Sequence, residues 1–158
     1  MTRRTVIGIL GAIAVPLKVS AMPEVEVPQR PPAIAGETVK AFVGAGHGDL
    51  DKTKQMLAEN PGLLNATWDW GGGDFESALG AAAHTGSREI ALYLIERGAR
   101  IDVFAAAMLG ELEVVRALLD AFPALVHAAG PHGIPLRVHA EVGGSAEVLA
   151  LLDERSAP

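Results

Sequence analysis

The most constraining feature of the sequence is a pattern that occurs four times, each time about a glycine. Gly48, Gly86, Gly110 and Gly144 are each followed three positions later by an acidic residue and eight positions later by a large apolar one. After Gly86 and Gly110, apolar residues at offsets four, five, eight and nine lie on one face of a helix. Each copy therefore predicts one amphipathic helix.

A shorter helix rich in small residues is predicted ahead of each glycine. Residues 76–86 read ESALGAAAHTG, and Ser77 is placed to cap the first turn of this helix. The alanines at positions 81, 82 and 83 allow a neighbouring helix to approach closely. The glycine that follows can adopt the left-handed conformation that ends a helix and turns the chain. Each copy is thus expected to contain two helices.

These segments resemble ankyrin repeats. The family pattern G-x-T-P-L-H-x-A-A-x-x-G-x-x-E-V-V-x-L-L-L is similar to residues 133–152 and 77–95, and GARID from Gly98 is similar to the GADVN ending of that family. The resemblance implies an all-α fold, an ankyrin-repeat solenoid of about four irregular helix-turn-helix repeats, over residues 37–155. It places the repeats at about 37–75, 76–102, 103–132 and 133–155, with the four aligned glycines as repeat-defining structural residues.

The spacing of the aligned glycines departs from the family period. The intervals are 38, 24 and 34 residues, whereas ankyrin repeats recur about every 33 residues. The long interval contains WDWGGGDF at residues 68–75, which predicts an enlarged finger between the first and second copies. The short interval predicts that the third copy has lost its finger, so that Asp102 leads directly into a helix over residues 103–109.

The amino terminus predicts an export signal over residues 1–21 and a Pro-rich flexible linker over residues 22–36. A cationic start, an apolar run of 13 residues and small residues at 19–21 are typical of a cleaved signal peptide. TRRTVI at residues 2–7 resembles the twin-arginine signal, although an ordinary secretory signal or an uncleaved anchor fits the same pattern. The expected location is therefore outside the cytoplasm, in the periplasm.

Composition narrows the class of partner. The chain has no cysteine and a formal net charge of -6, and this becomes -9 once the three basic residues of the signal are removed. Such an acidic chain is unsuited to nucleic acid, because it offers little to neutralise phosphates. The sequence predicts no integral membrane span after the signal is cleaved. It also predicts a monomer.

The enlarged finger does not match a known catalytic or phosphate-binding motif. Gly71, Gly72 and Gly73 are followed by no lysine, and the flanking Asp69 and Asp74 would repel phosphate. Asp69, Asp74 and Glu76 lack the order of a calcium loop, so solvated acids are the favoured interpretation. No serine or cysteine nucleophile motif is present, and the sequence predicts a protein that is not an enzyme.

The histidines do not predict a metal site. His47 and His84 precede aligned glycines, whereas His127, His132 and His139 lie in the last finger and helix. The spacing H-x4-H-x6-H of the last three does not ensure converging rings, and no cysteine completes the set. Neither a metal nor another cofactor is predicted.

The sequence favours a non-enzymatic protein-protein interaction module of the bacterial cell envelope, which binds a partner through its fingers and inner helices. The expected partner is another protein, such as an exported enzyme. The predicted contact residues lie in the enlarged finger: Trp68, Asp69, Trp70, Asp74, Phe75 and Glu76. Burial of both tryptophans against the helices is the competing interpretation. The alternative function is a small-ligand or metal-binding protein that uses residues 68–76 together with His84.

Overall fold

The computed structural model describes residues 31–156, which are mostly helical. The predicted export signal and residues 22–30 of the predicted linker lie outside the described residues. The α-helices are α1 (Gly36–Gly46), α2 (Leu50–Glu59), α3 (Ala78–Thr85), α4 (Arg88–Glu96), α5 (Val103–Leu109), α6 (Leu112–Ala121), α7 (Leu136–Val142) and α8 (Ala146–Ser156). The strands β1 (Thr67–Asp69) and β2 (Phe75–Ser77) form an antiparallel hairpin.

Local sequence signals account for several helix boundaries. Asp49, Ser77 and Asp102 cap α2, α3 and α5, since each side chain accepts a hydrogen bond from the backbone N–H three residues later, at 2.8–3.0 Å. The helix predicted over residues 103–109 has the same bounds in the structure. Gly86 and Gly110 end α3 and α5 with φ of 71° and 76°, as the turn prediction requires.

The helices pack in consecutive pairs. α1 contacts α2, α3 contacts α4, α5 contacts α6 and α7 contacts α8, while α1, α3, α5 and α7 contact one another in chain order. Two apolar clusters form the core. Phe42, Leu94 and Met108 are central to the first, and Val115, Leu136 and Val148 to the second. The fold is therefore compatible with the predicted all-α class.

Two glycines outside the aligned set allow close contact between the short helices. A Cβ atom on Gly46 would lie 2.6 Å from the carbonyl oxygen of Ala78, and one on Gly143 would collide with the carbonyl oxygen of Met108. Neither glycine has a left-handed backbone, so the requirement for glycine is steric. Besides the buried alanines of α3 that the sequence predicted, two unpredicted glycines at the ends of α1 and α7 bring the short helices together.

Short 3₁₀ turns follow α2 and α6, at Pro61–Asn65 and Pro123–His127. Leu63 is buried in the first cluster, and Leu125 and Val126 pack against the second, as expected for apolar residues after the prolines. A third 3₁₀ turn, Pro131–Gly133, precedes α7. Within residues 31–156, no helix combines the length and the apolar character that crossing a bilayer requires.

Candidate functional site

The enlarged finger is a tightly hydrogen-bonded hairpin. Asp69 Oδ1 accepts from the N–H groups of Gly71 and Gly73 at 2.8 and 3.1 Å, and Trp70 N–H donates to the Asp74 carbonyl at 3.0 Å. All three glycines, Gly71–Gly73, have positive φ, which side chains rarely tolerate. The glycines therefore form the turn of the hairpin. The Asp69 carboxylate already accepts the hydrogen bonds from the N–H groups that a bound phosphate would need.

The two tryptophans of the finger have different surroundings. Trp68 is half-buried, with its ring against Gly36 and the ammonium of Lys40 5.6 Å from its centroid. Trp70 is 39% exposed, and its ring lies 6.3 and 6.1 Å from those of His47 and His132. The interpretation that both tryptophans are buried is therefore wrong. Trp68 packs on α1, and Trp70 covers a group of histidines.

The residues that alternate along β2 face opposite sides. Phe75 is 61% exposed, whereas the next residue, Glu76, is 1% exposed. The predicted contact residue Glu76 is thus inaccessible to a protein partner. Its carboxylate accepts a hydrogen bond from Trp70 Nε1–H at 2.7 Å on Oε2 and one from His84 Nε2–H at 2.8 Å on Oε1.

Two further imidazoles face the same carboxylate. His47 Nε2 lies 3.5 Å from Glu76 Oε2, and His132 Nε2 lies 3.5 Å from Glu76 Oε1. The His84 ring lies between the other two, with centroid distances of 5.0 Å to His47 and 5.3 Å to His132. We call His47, Glu76, His84 and His132 the His3Glu cluster.

The cluster is assembled from separate parts of the fold. His47 directly follows α1, Glu76 is on β2, His84 is in the last turn of α3, and His132 is in the 3₁₀ turn before α7. His132 has a left-handed backbone, with φ of 59°. Asp74 holds it in place, because Oδ1 accepts from the His132 backbone N–H at 2.8 Å and Oδ2 accepts from its Nδ1–H at 2.7 Å.

These contacts change the electrostatics of two members of the site. The backbone N–H of His132 is the main cause that lowers the pKa of Asp74, and the imidazole of His132 adds to it. Burial lowers the pKa of His84 and outweighs the opposing attraction of Glu76. Asp74 is therefore held as an anion, and His84 is held as a neutral ring that donates to Glu76.

Sequence reasoning did not bring the His3Glu cluster together. It grouped His132 with His127 and His139, but His127 is exposed and His139 is buried on α7. The alternative function did join the finger, which includes Glu76, to His84, and these two residues are in contact. A further signal was that His47 and His84 end the first helices of successive copies. The approach of Glu76 and His132 depends on the path of the finger, which the repeat pattern does not encode.

No protein-family model matches the chain, and no curated protein matches it in sequence. The ankyrin resemblance therefore depends on the repeated register of the sequence alone.

Proposed function

We propose that the chain is a non-enzymatic, ankyrin-like binding module that captures a basic segment of a partner protein beside the finger. The observation that carries this proposal is Phe75, a largely exposed aromatic side chain on a hairpin fixed by hydrogen bonds at its tip. A rigid anchor loses little conformational entropy on binding, and aromatic anchors dominate many interfaces.

The groove next to Phe75 indicates the chemistry of the partner. It has a volume of about 410 Å³ and lies between the finger and the loop before α7. Phe75 and Phe104 supply aromatic walls, and Asp74 and Asp102 supply carboxylates. An arginine or lysine side chain suits this lining, because its apolar stem can pack on the rings while its charge faces the aspartates.

The charge of the chain supports the same class of partner. A net charge of -6 attracts basic proteins over a distance and speeds their encounter. The lowered pKa of Asp74 keeps one wall of the groove negative over the physiological pH range. Export to the periplasm, if it occurs by the signal proposed for residues 1–21, would place this acidic surface among envelope proteins.

We expect Phe75→Ala to abolish most of the capture of a partner from an extract of the source cells, measured by affinity purification with the full chain and mass spectrometry. Its thermal melting should change little, since the side chain is exposed. Phe122→Ala is the matched control, because Phe122 is 62% exposed and belongs to the turn after α6. Equal loss of the same partner in both variants, or no loss in either, would contradict the proposal.

Asp102→Asn tests the charge of the groove without removing a helix cap. Asparagine caps helices about as well as aspartate, so α5 should remain stable. Once a partner is identified, we expect this variant to bind it more weakly and with a smaller dependence on salt concentration, measured by titration at two ionic strengths. An unchanged salt dependence would exclude Asp102 from the contact.

A further inference from the structure

We infer that the His3Glu cluster binds one divalent first-row transition metal ion, for which Zn²⁺ is the reference occupant. Each of its four residues offers one donor atom, and all four atoms lie within 4.8 Å of one another. The cluster lies on the opposite side of β2 from Phe75 and the groove proposed for a partner, and Asp74 borders both, since it lines the groove and binds His132. The two proposals can therefore fail independently.

The donor spacing fits a four-coordinate ion. Zinc bonds of about 2.1 Å to nitrogen and oxygen, arranged tetrahedrally, place neighbouring donors about 3.4 Å apart. His47 Nε2 is 3.5 Å from Glu76 Oε2, and His132 Nε2 is 3.5 Å from the other oxygen, Oε1. The four donor atoms lie within 4.8 Å of one another, so the more distant pairs would draw together on the ion. His84 Nε2 is closer to Glu76 Oε1, at 2.8 Å. To bind the ion, the ring would release its Nε2 proton and take the Nδ1–H tautomer, and the two atoms would move apart by about 0.6 Å.

The hydrogen bonds behind two of the histidines orient their rings toward the ion. His47 Nδ1–H donates to the Gly44 carbonyl at 3.2 Å, and His132 Nδ1–H donates to Asp74 at 2.7 Å. In a neutral ring with Nδ1 protonated, Nε2 carries the lone pair. Metal-binding histidines are commonly held in this way, by a carbonyl or carboxylate on the other nitrogen.

Hydrogen bonds within the protein already engage both oxygens of Glu76. Trp70 and His84 already donate one hydrogen bond to each oxygen of the carboxylate. In the Nδ1–H tautomer of His47 and His132, the Nε2 lone pairs face carboxylate oxygens, which is an unfavourable contact between acceptors. A cation between them converts each of these contacts into an attraction.

The type of donor selects the class of metal. Three imidazoles and one carboxylate suit zinc and its first-row neighbours, whereas calcium and magnesium prefer oxygen donors alone. The side chains of His47 and His132 are each 32% exposed, so the ion has access from solvent. With four protein donors the coordination is closed, and the ion would join α1, β2, α3 and the turn before α7.

Isothermal titration with Zn²⁺ tests the inference directly. The full chain is used without a polyhistidine tag, after treatment with a chelator. We expect one ion per chain and a rise in melting temperature with added zinc, because an ion that binds only the folded state stabilises it. Absence of saturable zinc binding would overturn the inference.

Matched variants locate the ion. Glu76→Gln removes the charge and keeps the shape, and His132→Asn removes the ring in favour of a residue that tolerates a left-handed backbone. We expect each to weaken zinc binding at least about 10- to 100-fold, the loss typical of supporting groups in such sites. His127→Asn removes an exposed histidine outside the cluster and should leave the affinity unchanged.

Co²⁺ gives a second, spectroscopic measurement of metal binding. This measurement does not require that Glu76→Gln remain folded. Bound Co²⁺ should show the intense visible bands of a tetrahedral site and quench the fluorescence of Trp70, whose indole donates to Glu76. Both signals should be lost in His47→Ala and retained in Phe75→Ala. Retention of both signals in folded His47→Ala and His132→Asn, or loss of both in His127→Asn, would place the ion elsewhere.

Discussion

At the scale of single residues, His139 places a titratable ring in a fully buried position on α7. Its Nδ1–H donates to the Pro135 carbonyl at 3.0 Å, and within the described residues its Nε2 has no hydrogen-bond partner. The ring packs against Phe104, with a centroid distance of 4.9 Å. Burial lowers the pKa of His139, so the folded protein holds the ring in its neutral form.

This burial predicts a loss of stability in mild acid. Below about pH 6.5 the unfolded chain takes up a proton on His139 that the folded chain does not. Stability is therefore complete above that pH and falls as the pH decreases toward the folded-state pKa. We expect the free energy of unfolding, measured by urea titration with a chelator present, to fall between pH 7 and pH 5.

His139→Gln should reduce that fall, because glutamine does not titrate. Part of the pH dependence should remain, since burial also lowers the pKa of His84. His127→Asn serves as the control, because it removes an exposed histidine and should preserve the full slope. If the free energy of unfolding of folded His139→Gln falls with pH as it does in the wild type, His139 is not the source of the acid sensitivity.

At the scale of elements, contact between the short helices depends on which face of a helix carries glycine. Gly44 and Gly46 are two positions apart in α1. A Cβ on Gly44 would have no neighbour within 4 Å, whereas one on Gly46 would meet the backbone of Ala78 at the start of α3. An added methyl group therefore meets open space at Gly44 and the backbone of α3 at Gly46.

We expect Gly46→Ala to destabilise the protein by at least about 2 kcal/mol, because the added methyl group forces α1 away from α3. Gly44→Ala should stabilise it by about 0.5–1 kcal/mol, since alanine has the higher helix propensity. Urea unfolding of both variants measures the difference. Similar effects of the two substitutions would mean that the contact between α1 and α3 can relax without cost.

The elements themselves were largely predictable from sequence because their signals are local. The caps at Ser77 and Asp102, the left-handed glycines and the proline turns all act within a few residues. Gly48 is an exception, since it aligns with Gly86 and Gly110 but does not share their left-handed backbone. The contact glycines Gly46 and Gly143 were not predicted, because their role depends on the distance between two helices.

At the scale of the whole molecule, the His3Glu cluster shows the limit of sequence reasoning. His47, His84 and His132 lie far apart in the chain and come together only through the packing of α1, α3 and the turn before α7. The sequence did predict an enlarged finger at residues 68–75, where the structure has a hairpin, and its role in binding stays a prediction. It grouped Phe75 and Glu76 as contact residues, although adjacent residues of a strand face opposite sides. Which side is buried depends on how the finger packs on the helices.

Export is a proposal about the whole chain, and it can be tested by mass. If residues 1–21 are a cleaved signal, the protein recovered from the periplasm should begin at Met22. Replacing Arg3 and Arg4 with lysine should block export if the twin-arginine route is used and leave it nearly unchanged for an ordinary secretory signal. Intact mass spectrometry of periplasmic and cytoplasmic fractions distinguishes these outcomes.

The hydrogen bonds between Asp74 and His132 join residues 58 positions apart. In an array where each repeat touches only its neighbours, the terminal pair can fray alone. Here the finger reaches past α5, which has no finger of its own, to the turn before α7. The hydrogen bonds therefore link the last helix pair, α7 and α8, to the second pair, α3 and α4. We expect local unfolding of α7 and α8 to disrupt the finger as well. Amide exchange in α7 and β1 should consequently follow a common, cooperative opening instead of a gradient along the chain.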